Sequence, residues 1–576
     1  MIRPLAISSS FNVSKFSAAI LSRRMSLRNT GLPRIAAPQQ LEIDLTETED
    51  TLCNLLNDCA AYLQQEKGIS TTCRIAGGWV RDKLLGSQSN DIDVALSDMM
   101  GLAFAEHLTE FANSKGVETG TVSKIEQNPD QSKHLETATF KIFGLDIDLV
   151  NLRSEEYAEG SRIPTGVSFG TPLQDALRRD ITINALFYNV HTRKVEDYTG
   201  NGLDDLRNGI VRTPMPPRET FQDDPLRILR CIRFASRFGF EVVEEVKAAV
   251  KDPTVQAALV SKVARERVGM EMAKMLEGRD PLRSLQLIHE VSLYHSIFSV
   301  IPSEVQAALP PTLSESNPKS ALAAASILHV LLSVGSSDSL APHATLLSVA
   351  RESSAPRARL YLALALLPYD GLVYRDQKDK AQSVVAAVIR ESLKLGSQNH
   401  YLDGIPVLFS ALSLVNEGLD AHDEQPMERV PLGLLLRNKA VHNPLTGTHW
   451  TTTLLFSMIV DLVPHYNVEA DSFDANVVSA IVAKYNSLVD RVLELKLQDD
   501  VEAKPLLNGR EVGNALFGTP KAGPWVGKVL EDVVVWQLGN PSGSKEECTE
   551  WLRTRGPSHY VTEEEAKPKS KRIRTK

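Results

Sequence analysis

One short stretch, residues 77–93, constrains the fold of this chain more than any other. It reads Gly-Gly-Trp-Val-Arg-Asp-Lys-Leu-Leu-Gly-Ser-Gln-Ser-Asn-Asp-Ile-Asp, so a glycine turn and an arginine come shortly before an Asp-x-Asp pair. Gly77 and Gly78 allow a close approach to the backbone because neither carries a Cβ atom. Asp91 and Asp93 open the run Asp-Ile-Asp-Val-Ala-Leu, and in a strand both carboxylates project from the same face. The stretch therefore predicts a turn followed by a strand with two acidic groups on one side.

The residue types in this stretch suit phosphate and a divalent cation. The guanidinium of Arg81 offers a fork of donors to phosphate oxygens. Asp91 and Asp93 repel each other unless a cation lies between them, and Mg²⁺ is often shared between carboxylates and substrate phosphates. Taken singly, an Asp-x-Asp pair is usually a solvated strand end, and a Gly-Gly pair is usually a turn. Their combination at this spacing indicates a nucleotidyl-transfer site with a two-metal clamp.

A third carboxylate is offered by residues 138–153, which are typical of a hairpin that turns at Gly144. Asp146 and Asp148 alternate there with apolar residues. A strand that carries them beside the first acidic strand would place one carboxylate across from the Asp-x-Asp pair. The same alternation also fits a strand with one solvated face, so the residues alone leave this interpretation open.

Two charged clusters follow. Residues 178–185, Arg-Arg-Asp-Ile-Thr-Ile-Asn-Ala, enter an apolar run, and such a triplet is more often a surface salt-bridge cluster than a site. Residues 223–239 predict a helix with Pro225 in its first turn after an acidic pair, and with Gly239 at its end. Its arginines recur every three or four residues as one basic stripe. Periodicity alone is equally compatible with a capped amphipathic helix whose face is solvated.

Together these motifs resemble the eukaryotic tRNA nucleotidyltransferases, the CCA-adding enzymes of class II in the polymerase-β-like superfamily. The resemblance is strong over residues 73–280 and loose elsewhere. It implies an α/β head with a polymerase-β-like sheet, followed by an all-α neck, body and tail. It also implies two Mg²⁺ ions as cofactors, CTP and ATP as substrates, and the 3′ end and acceptor arm of tRNA as the partner.

The resemblance also assigns roles to single residues. The catalytic, metal-binding carboxylates match Asp91, Asp93 and Asp148, the last in preference to Asp146 because of its position in the strand. The nucleotide-binding residues match Gly77, Gly78, Arg81, Arg179, Asp180, Asn184, Asp224, Arg227 and Arg230. In the tail, a Gly-Pro-Trp element makes Lys521 and Lys528 candidate contacts to tRNA phosphates.

Three of these matches carry a specific recognition. Asp180 matches the group that reads the ribose 2′-hydroxyl, which a carboxylate can do by accepting its hydrogen bond. Asp224 and Arg227 match the pair that reads the Watson–Crick edge of the incoming base. Bacterial members have Glu-Asp where this chain has Asp223 and Asp224, so the way in which the arginine is held stays open. A helix over 263–276 resembles a further motif, in which Glu266 and Arg267 are expected to brace the nucleotide-reading helix.

The predicted segments are a disordered targeting presequence at 1–40, a catalytic head at 41–200, a neck with the nucleotide-reading helix at 201–280, a helical body at 281–425, a helical, tRNA-binding tail at 426–560, and a basic disordered C-terminus at 561–576. The residues before Glu42 are basic, serine-rich and free of acidic groups, as in a mitochondrial presequence. Met25 could start a shorter, cytosolic form. The basic C-terminus resembles a nuclear signal.

Charge and cysteine content limit the classes of partner and site. The net charge of −9 excludes whole-molecule attraction to RNA, so phosphates must meet local basic patches. The five cysteines are scattered, and no Cys-x-x-Cys or His pair has zinc spacing, which predicts a reduced compartment and no structural zinc. No apolar run is long enough to suggest a membrane span, and no membrane partner is expected.

Two other functions stay open at this point. A bacterial-type poly(A) polymerase shares the head and neck motifs, although a processive polymeriser usually carries a more basic surface. The other alternative is a non-catalytic tRNA-binding or chaperone protein on the same scaffold, which would not need three converging carboxylates. The residues that switch from C to A addition, and the oligomeric state, do not follow from the sequence.

Overall fold

The computed structural model describes most of the 576 residues, namely 32–38, 40–125, 137–157, 164–311, 313, 318–333, 341–470, 472–520 and 523–560. The chain divides into two compact units. Among the described residues, the larger unit contains those from Leu32 to Ser326 and from Arg357 to Leu402, and the smaller contains those from Ile327 to Pro356 and from Asp403 to Tyr560.

The strands are β1 (Cys73–Ala76), β2 (Asp91–Leu96), β3 (Ser123–Ile125), β4 (Thr137–Ile142), β5 (Leu145–Asn151), β6 (Arg153–Tyr157), β7 (Pro164–Phe169), β8 (Phe187–Asn189), β9 (Lys194–Glu196), β10 (Ile210–Val211), β11 (Glu241–Val242), β12 (Val373–Arg375), β13 (Ala381–Ser383), β14 (Tyr466–Asn467) and β15 (Ser472–Phe473).

The helices of the larger unit are α1 (Glu47–Glu66), α2 (Gly78–Leu84), α3 (Gly101–Ser114), α4 (Pro172–Leu177), α5 (Gly202–Asn208), α6 (Pro217–Asp223), α7 (Arg227–Phe238), α8 (Glu244–Lys251), α9 (Pro253–Lys262), α10 (Arg265–Glu277), α11 (Pro281–Glu290), α12 (Tyr294–Phe298) and α13 (Ser303–Gln306). The later helices are α14 (Lys319–Ser333), α15 (Ala344–Glu352), α16 (Ser354–Ala365), α17 (Val384–Ala387), α18 (Tyr401–Ser410), α19 (Leu412–Glu424), α20 (Arg429–Arg437), α21 (Trp450–Leu462), α22 (Ala475–Glu494), α23 (Gly509–Phe517), α24 (Val526–Gly539) and α25 (Lys545–Arg555).

The head is built on a seven-stranded sheet with the order β3-β4-β5-β2-β1-β8-β9. Strands β2 and β5 are parallel, whereas the other neighbouring strands are antiparallel. The hairpin of β4 and β5 turns at Gly144, whose φ of 80° suits glycine, as the sequence predicted. The parallel pair brings together two acidic strands that are far apart in sequence.

The two faces of this sheet differ sharply in polarity. The side chains between the acidic positions, Ile92, Val94, Ile147 and Leu149, are fully buried. Helix α3 packs on β4 and β5, and α1 packs on β1 and α3. A Cβ atom at Gly101, the first residue of α3, would lie 2.3 Å from the carbonyl oxygen of Leu149, so the helix begins against the β5 backbone. The apolar face thereby fixes the strands whose other face carries the carboxylates.

The rest of the chain is mostly helical, as predicted, but it is not purely helical. Three two-stranded sheets, β10–β11, β12–β13 and β14–β15, lie among the helices. Within the helical body predicted at 281–425, the residues Ala381–Ser383 form β13 and not a helix. The reason is local, because one Asp376 oxygen accepts hydrogen bonds from the backbone N–H groups of Lys378 and Lys380 at 2.9 Å and closes a hairpin turn.

Part of the predicted presequence is ordered. The backbone N–H of Leu32 donates to Asp280 at 3.0 Å, and that of Ile35 donates to the carbonyl of Phe238 at 2.9 Å. The expectation of disorder through residue 40 is therefore wrong for residues 32–38, because hydrogen bonds to Asp280 and Phe238 hold this segment on the neck. Residues 1–31 and 561–576, which carry the predicted targeting signals, lie outside the described residues.

One described stretch, Gln398–Glu424, is long and apolar enough to cross a membrane by length and composition, contrary to the expectation from sequence. Its backbone is not that of a single regular helix. Asn399 and His400 have positive φ angles of 49° and 52°, and Pro406 lies inside α18. Core helices of globular proteins satisfy the same criterion, so this stretch alone indicates no membrane span.

Candidate active site

The acidic strands β2 and β5 form the centre of the site. Their register sets Asp91 beside Asp146 and Asp93 beside Asp148, so the four residues share one face of the sheet. Lys141 neutralises Asp146 through an ion pair of 2.9 Å, whereas Asp148 accepts a hydrogen bond from the hydroxyl of Thr139 at 2.7 Å. This difference supports the choice of Asp148 over Asp146 as a metal ligand, and that role stays a prediction.

Asp93 is repelled by other carboxylates on this face. Loss of surrounding water, together with the charges of Asp91 and Asp148, raises the pKa of Asp93 to about 6, while the guanidinium of Arg179 opposes the rise. A divalent cation would relieve the repulsion among these groups. The donor set of Asp91, Asp93 and Asp148 therefore fits Mg²⁺, which prefers carboxylate oxygens.

The glycine turn lies next to these carboxylates. Gly77 has a φ of 73°, and a Cβ atom there would lie 2.8 Å from Nη1 of Arg179. The same Nη1 donates to the carbonyl of Asn184 at 3.1 Å. Only glycine allows both the backbone conformation and the approach of the arginine, so Gly77 brings Arg179 against the turn.

Arg81 is more deeply buried than a simple phosphate-binding arginine would be, with 4% of its surface exposed. It donates to the side chain of Asn184 and, at 2.8 Å, to Asp82. Its guanidinium lies about 5 Å from the ring centroids of Phe234 and Phe238 in α7. These contacts make Arg81 a link between the turn and the neck, and its contact with phosphate stays a prediction.

Asp180 is the polar centre of the second motif. Its carboxylate accepts hydrogen bonds from Asn184 Nδ2 at 3.0 Å, from Arg230 Nε at 2.7 Å and from the backbone N–H of Ile181 at 2.9 Å. Burial opposes ionisation of Asp180, but Arg230 and these hydrogen bonds hold its pKa below the ordinary value. The predicted nucleotide-binding residues Asp180, Asn184 and Arg230 therefore form one network.

The predicted nucleotide-reading helix begins later than expected. Helix α6 ends at Asp223 and α7 begins at Arg227, so Pro225 lies in the turn between two helices and not inside the first turn of one. Asp224 in this turn accepts from the backbone N–H of Leu226 at 3.1 Å, and that bond breaks the helix there. Gly239 ends α7 with a φ of 70°, as predicted.

Asp224 and Arg227 lie on either side of this turn. The second oxygen of Asp224 pairs with Arg267 at 3.2 Å, which is the bracing contact expected of that residue. Arg227 is buried, and its Nη1 lies 3.4 Å from the carbonyl oxygen of Thr220. Their role in reading the base stays a prediction.

The basic stripe of α7 is a set of ion pairs. Arg230 pairs with Asp180 at 2.7 Å, Arg233 with Glu271 at 2.5 Å, and Arg237 with Asp82 at 3.3 Å. Each carboxylate belongs to a different motif, so the helix joins the motifs to one another. At the C-terminal part of this stripe, a cavity of about 410 Å³ is lined by four basic residues, Arg233, Arg237, Lys274 and Arg279, and by the acidic Glu277. It is a local basic patch of the kind that the acidic net charge requires.

Two positioning residues were missed in the sequence. Asp175 is 1% exposed and receives hydrogen bonds from Arg178 and Arg179, which hold its pKa at about 2 although burial opposes ionisation. Glu49 is 3% exposed, and it pairs with Lys83 at 2.7 Å and accepts from Trp79 at 3.1 Å. The spacing of Asp175 and Arg179, four residues apart, was a usable signal for the first. No local signal pointed to the Glu49 contacts.

Of the two predicted tRNA contacts, Lys528 lies on α24 with an exposed side chain, whereas Lys521 lies outside the described residues. The helices around Lys528 pack on a core formed by Leu507, Val512, Leu516, Val529, Val533, Cys548, Leu552 and Tyr560. An exposed lysine on a well-packed helix is available to a phosphate, and its contact with tRNA stays a prediction.

The fold resembles solved structures over nearly the whole chain. A CCA-adding enzyme in its apo form II superposes with a TM-score of 0.56 at 19% identity, covering 88% of this chain and 96% of its own. The Thermotoga maritima CCA-adding enzyme complexed with tRNA gives a TM-score of 0.53 at 18% identity, covering 88% of this chain and 95% of its own. At identities of 18–19%, this structural similarity establishes the fold alone.

Sequence comparison establishes the family. Residues 73–212 match the poly A polymerase head domain, and residues 239–304 match the probable RNA and SrmB-binding site of polymerase A. The mitochondrial CCA tRNA nucleotidyltransferase of Saccharomyces cerevisiae is 36% identical over 540 residues, covering 90% of this chain and 95% of its own. A tRNA nucleotidyltransferase of Schizosaccharomyces pombe is 34% identical, covering 90% of this chain and 98% of its own. With this identity over nearly its full length, the chain belongs to the CCA tRNA nucleotidyltransferase family.

Proposed function

We propose that this chain adds CCA to the 3′ ends of tRNA from CTP and ATP, without a nucleic-acid template. The observation that carries the proposal is the register of β2 and β5, which sets Asp93 beside Asp148 next to a glycine turn and an arginine. The relatives that cover nine-tenths of the chain support the choice of substrate. They also favour CCA addition over poly(A) synthesis, although both activities use this type of head.

The chemistry is nucleotidyl transfer to the tRNA 3′-hydroxyl with release of pyrophosphate. Two Mg²⁺ ions held by Asp91, Asp93 and Asp148 would supply a lowered pKa at the attacking hydroxyl and neutralisation of the triphosphate. Arg179 lies beside the Gly77 turn, where a triphosphate can meet both a guanidinium and backbone amides. The protein's contribution is to hold the hydroxyl and the α-phosphate in line.

Selection of a ribonucleotide is assigned to Asp180. Its Oδ2 atom accepts a single described hydrogen bond, from Arg230, and a carboxylate oxygen has two lone pairs. One lone pair of Oδ2 therefore stays available for the 2′-hydroxyl. The ion pair with Arg230 keeps the carboxylate ionised, so it acts as an acceptor.

Selection of the base is assigned to Asp224 and Arg227. Cytosine and adenine both present an exocyclic amine beside an unprotonated ring nitrogen, which suits one acceptor and one donor. Uracil and guanine present a carbonyl to the acceptor instead, which costs about 1–3 kcal/mol. The long contact of 3.4 Å between Arg227 and Thr220 is weak enough to be exchanged for a ring nitrogen.

The metal site is tested by substitution of its carboxylates. We expect Asp91→Asn or Asp93→Asn to abolish incorporation of labelled CTP into tRNA that lacks CCA. Binding of the tRNA should stay nearly intact, because distant phosphate contacts dominate its affinity. Asp146→Asn is the matched control, since Asp146 shares the sheet face but pairs with Lys141.

Two outcomes separate the proposal from its alternatives. Retained incorporation in the Asp91 or Asp93 variant would place the metal elsewhere. Incubation of the unchanged protein with CTP alone distinguishes CCA addition from poly(A) synthesis, because a poly(A) polymerase would add nothing.

A further inference from the structure

A group of metal-type ligands lies in the smaller unit, far in sequence from the acidic strands. His442, His449 and Glu502 place one potential ligand atom each within 4.8 Å of the others. The sequence predicted no zinc site, because six residues separate the two histidines, more than the usual three to five. Only the fold brings the exposed Glu502 to this pair.

The loop between α20 and α21 sets the two imidazoles side by side. Asn443 and Thr448 exchange backbone hydrogen bonds of 2.9 and 3.1 Å, so the residues that flank the loop on either side are held together. The rings of His442 and His449 consequently lie 5.0 Å apart between centroids. This closed loop fixes both histidines without help from a ligand.

One nitrogen in this group is buried without a hydrogen bond. His442 is 6% exposed, and its Nε2 atom makes no hydrogen bond, although Oε1 of Glu502 lies 3.2 Å away. A bound ion would give this buried nitrogen a well-oriented partner, which the contact with Glu502 does not. The potential ligand atoms of the three residues lie within 4.8 Å of one another, close enough to share one ion after a small adjustment.

We propose that His442, His449 and Glu502 bind a divalent transition-metal ion, with Zn²⁺ as the best match. Two imidazoles and one carboxylate are borderline to hard ligands that suit Zn²⁺, and three protein ligands leave a fourth position for water. Tetrahedral zinc needs its ligand atoms about 3.4 Å apart, given bond lengths of about 2.1 Å. The exposed, flexible side chain of Glu502 can close the remaining distance.

The surrounding groups both help and oppose this binding. Nδ1 of His449 lies 2.7 Å from the hydroxyl of Thr451, which can accept its proton when Nε2 holds a metal, but Nδ1 then gives up the bond of 3.3 Å that it accepts from the backbone N–H of Thr451. Against this, the bound form of His442 gives up a contact of 3.3 Å with the backbone N–H of Trp450, and the positive charge of Arg437 is nearby.

The bound ion would cross-link two segments of the helical tail. It would join the loop before α21 to the segment after α22, which carries Glu502. An ion that binds the folded state alone raises its stability according to the free metal concentration. The site is thus inferred to be structural, and it is distinct from the acidic strands of the head.

Co²⁺ titration of the full chain tests the proposal, since the ion has a visible spectrum that reports tetrahedral nitrogen and oxygen ligands. The chain carries Asp91→Asn and Asp93→Asn to remove the competing acidic site, and it is freed of metal by a chelator. We expect one tightly bound Co²⁺, which Zn²⁺ displaces. Zn²⁺ should also raise the thermal unfolding temperature.

Matched substitutions decide the outcome. His442→Ala and Glu502→Gln should each weaken Co²⁺ binding by at least about tenfold. Glu502→Gln is exposed and isosteric, so it keeps the test valid if His442→Ala does not fold. His559→Ala, an exposed histidine of the same unit, is the control and should bind as before. Equal binding by all variants, or a spectrum without tetrahedral bands, would overturn the proposal.

Discussion

Asp224 makes two structural contacts and is also proposed to recognise the incoming base. One oxygen accepts from the backbone N–H of Leu226, and the other pairs with Arg267. A carboxylate has about four lone-pair positions, so both contacts can persist while an amine of the base donates to the same group. Arg267 would then hold the carboxylate in place for the base.

Substitution of Asp224 separates recognition from structure. Asp224→Ala should relax the exclusion of UTP and GTP by about ten- to a hundredfold in relative kcat/KM, because the clash between two acceptors disappears. Arg227→Ala should slow CTP and ATP alike, since both bases use the same donor. The measurement is single-nucleotide incorporation with all four NTPs. If Asp224→Ala keeps the wild-type preference for CTP and ATP, then Asp224 does not read the base and only marks the boundary between two helices.

At the scale of elements, α7 shows what could and could not be predicted from sequence. The spacing of its arginines and the glycine at its end are local signals, and both indicated the right helix and its C-terminus. Its start was misplaced because the hydrogen bond from Leu226 to Asp224 competes with the helix. The partners of the arginines, Asp82, Asp180 and Glu271, are distant in sequence, so no spacing could reveal them.

The same contrast holds for the acidic strands. Alternation predicted which residues share a face of β5, but it did not choose between Asp146 and Asp148. In the structure Lys141 pairs with Asp146, through a register that depends on the hairpin, and this contact supports the choice of Asp148 as a ligand. The buried Glu49, which ties α1 to α2, escaped prediction for the same reason.

The contact between α7 and the second motif can be measured by a double-mutant cycle. Arg230→Ala should destabilise the protein by about 2 kcal/mol, because it leaves the buried charge of Asp180 unpaired. The loss is smaller than for a fully buried pair, since the Arg230 side chain is 36% exposed. Addition of Asp180→Asn should recover part of this free energy of unfolding. Strict additivity of the two changes would show that the pair contributes nothing.

At the scale of the whole chain, residues 32–35 form an N-terminal strap that packs on the C-terminal end of α7. Besides its backbone bonds, the strap places the Arg34 side chain on the carbonyl groups of Arg207 and Asn208, and Pro33 accepts from Arg279 at 2.7 Å. A Cβ atom at Gly239 would lie 3.0 Å from Cα of Arg34. The strap therefore continues the folded head and neck upstream of the predicted boundary at residue 40.

Truncation locates the true boundary. A chain that begins at Leu32 should unfold at nearly the same temperature as the full chain. A chain that begins at residue 36 should unfold at a lower temperature, because it loses the contacts of Leu32 and Arg34. Thermal unfolding of both chains makes the comparison, and equal stability would show that the strap does not contribute.

The start site should decide the compartment. We propose that the full-length chain reaches mitochondria and the cytosol, whereas a chain that starts at Met25 stays cytosolic. The mitochondrial relatives in yeasts support the first destination. Both forms keep the strap, so they should be equally stable and differ only in location. Tagged chains with identical distributions would contradict the proposal.

The parallel pairing of β2 and β5 also has a consequence for the order in which the site is assembled during synthesis. During synthesis, the ribosome completes β2 and then makes all of α3 and β4 before the strand that carries Asp148 exists. A growing chain therefore displays its first two acidic groups without their companion. On the proposed mechanism, the three-carboxylate metal site is therefore incomplete until the later strand pairs with the earlier one.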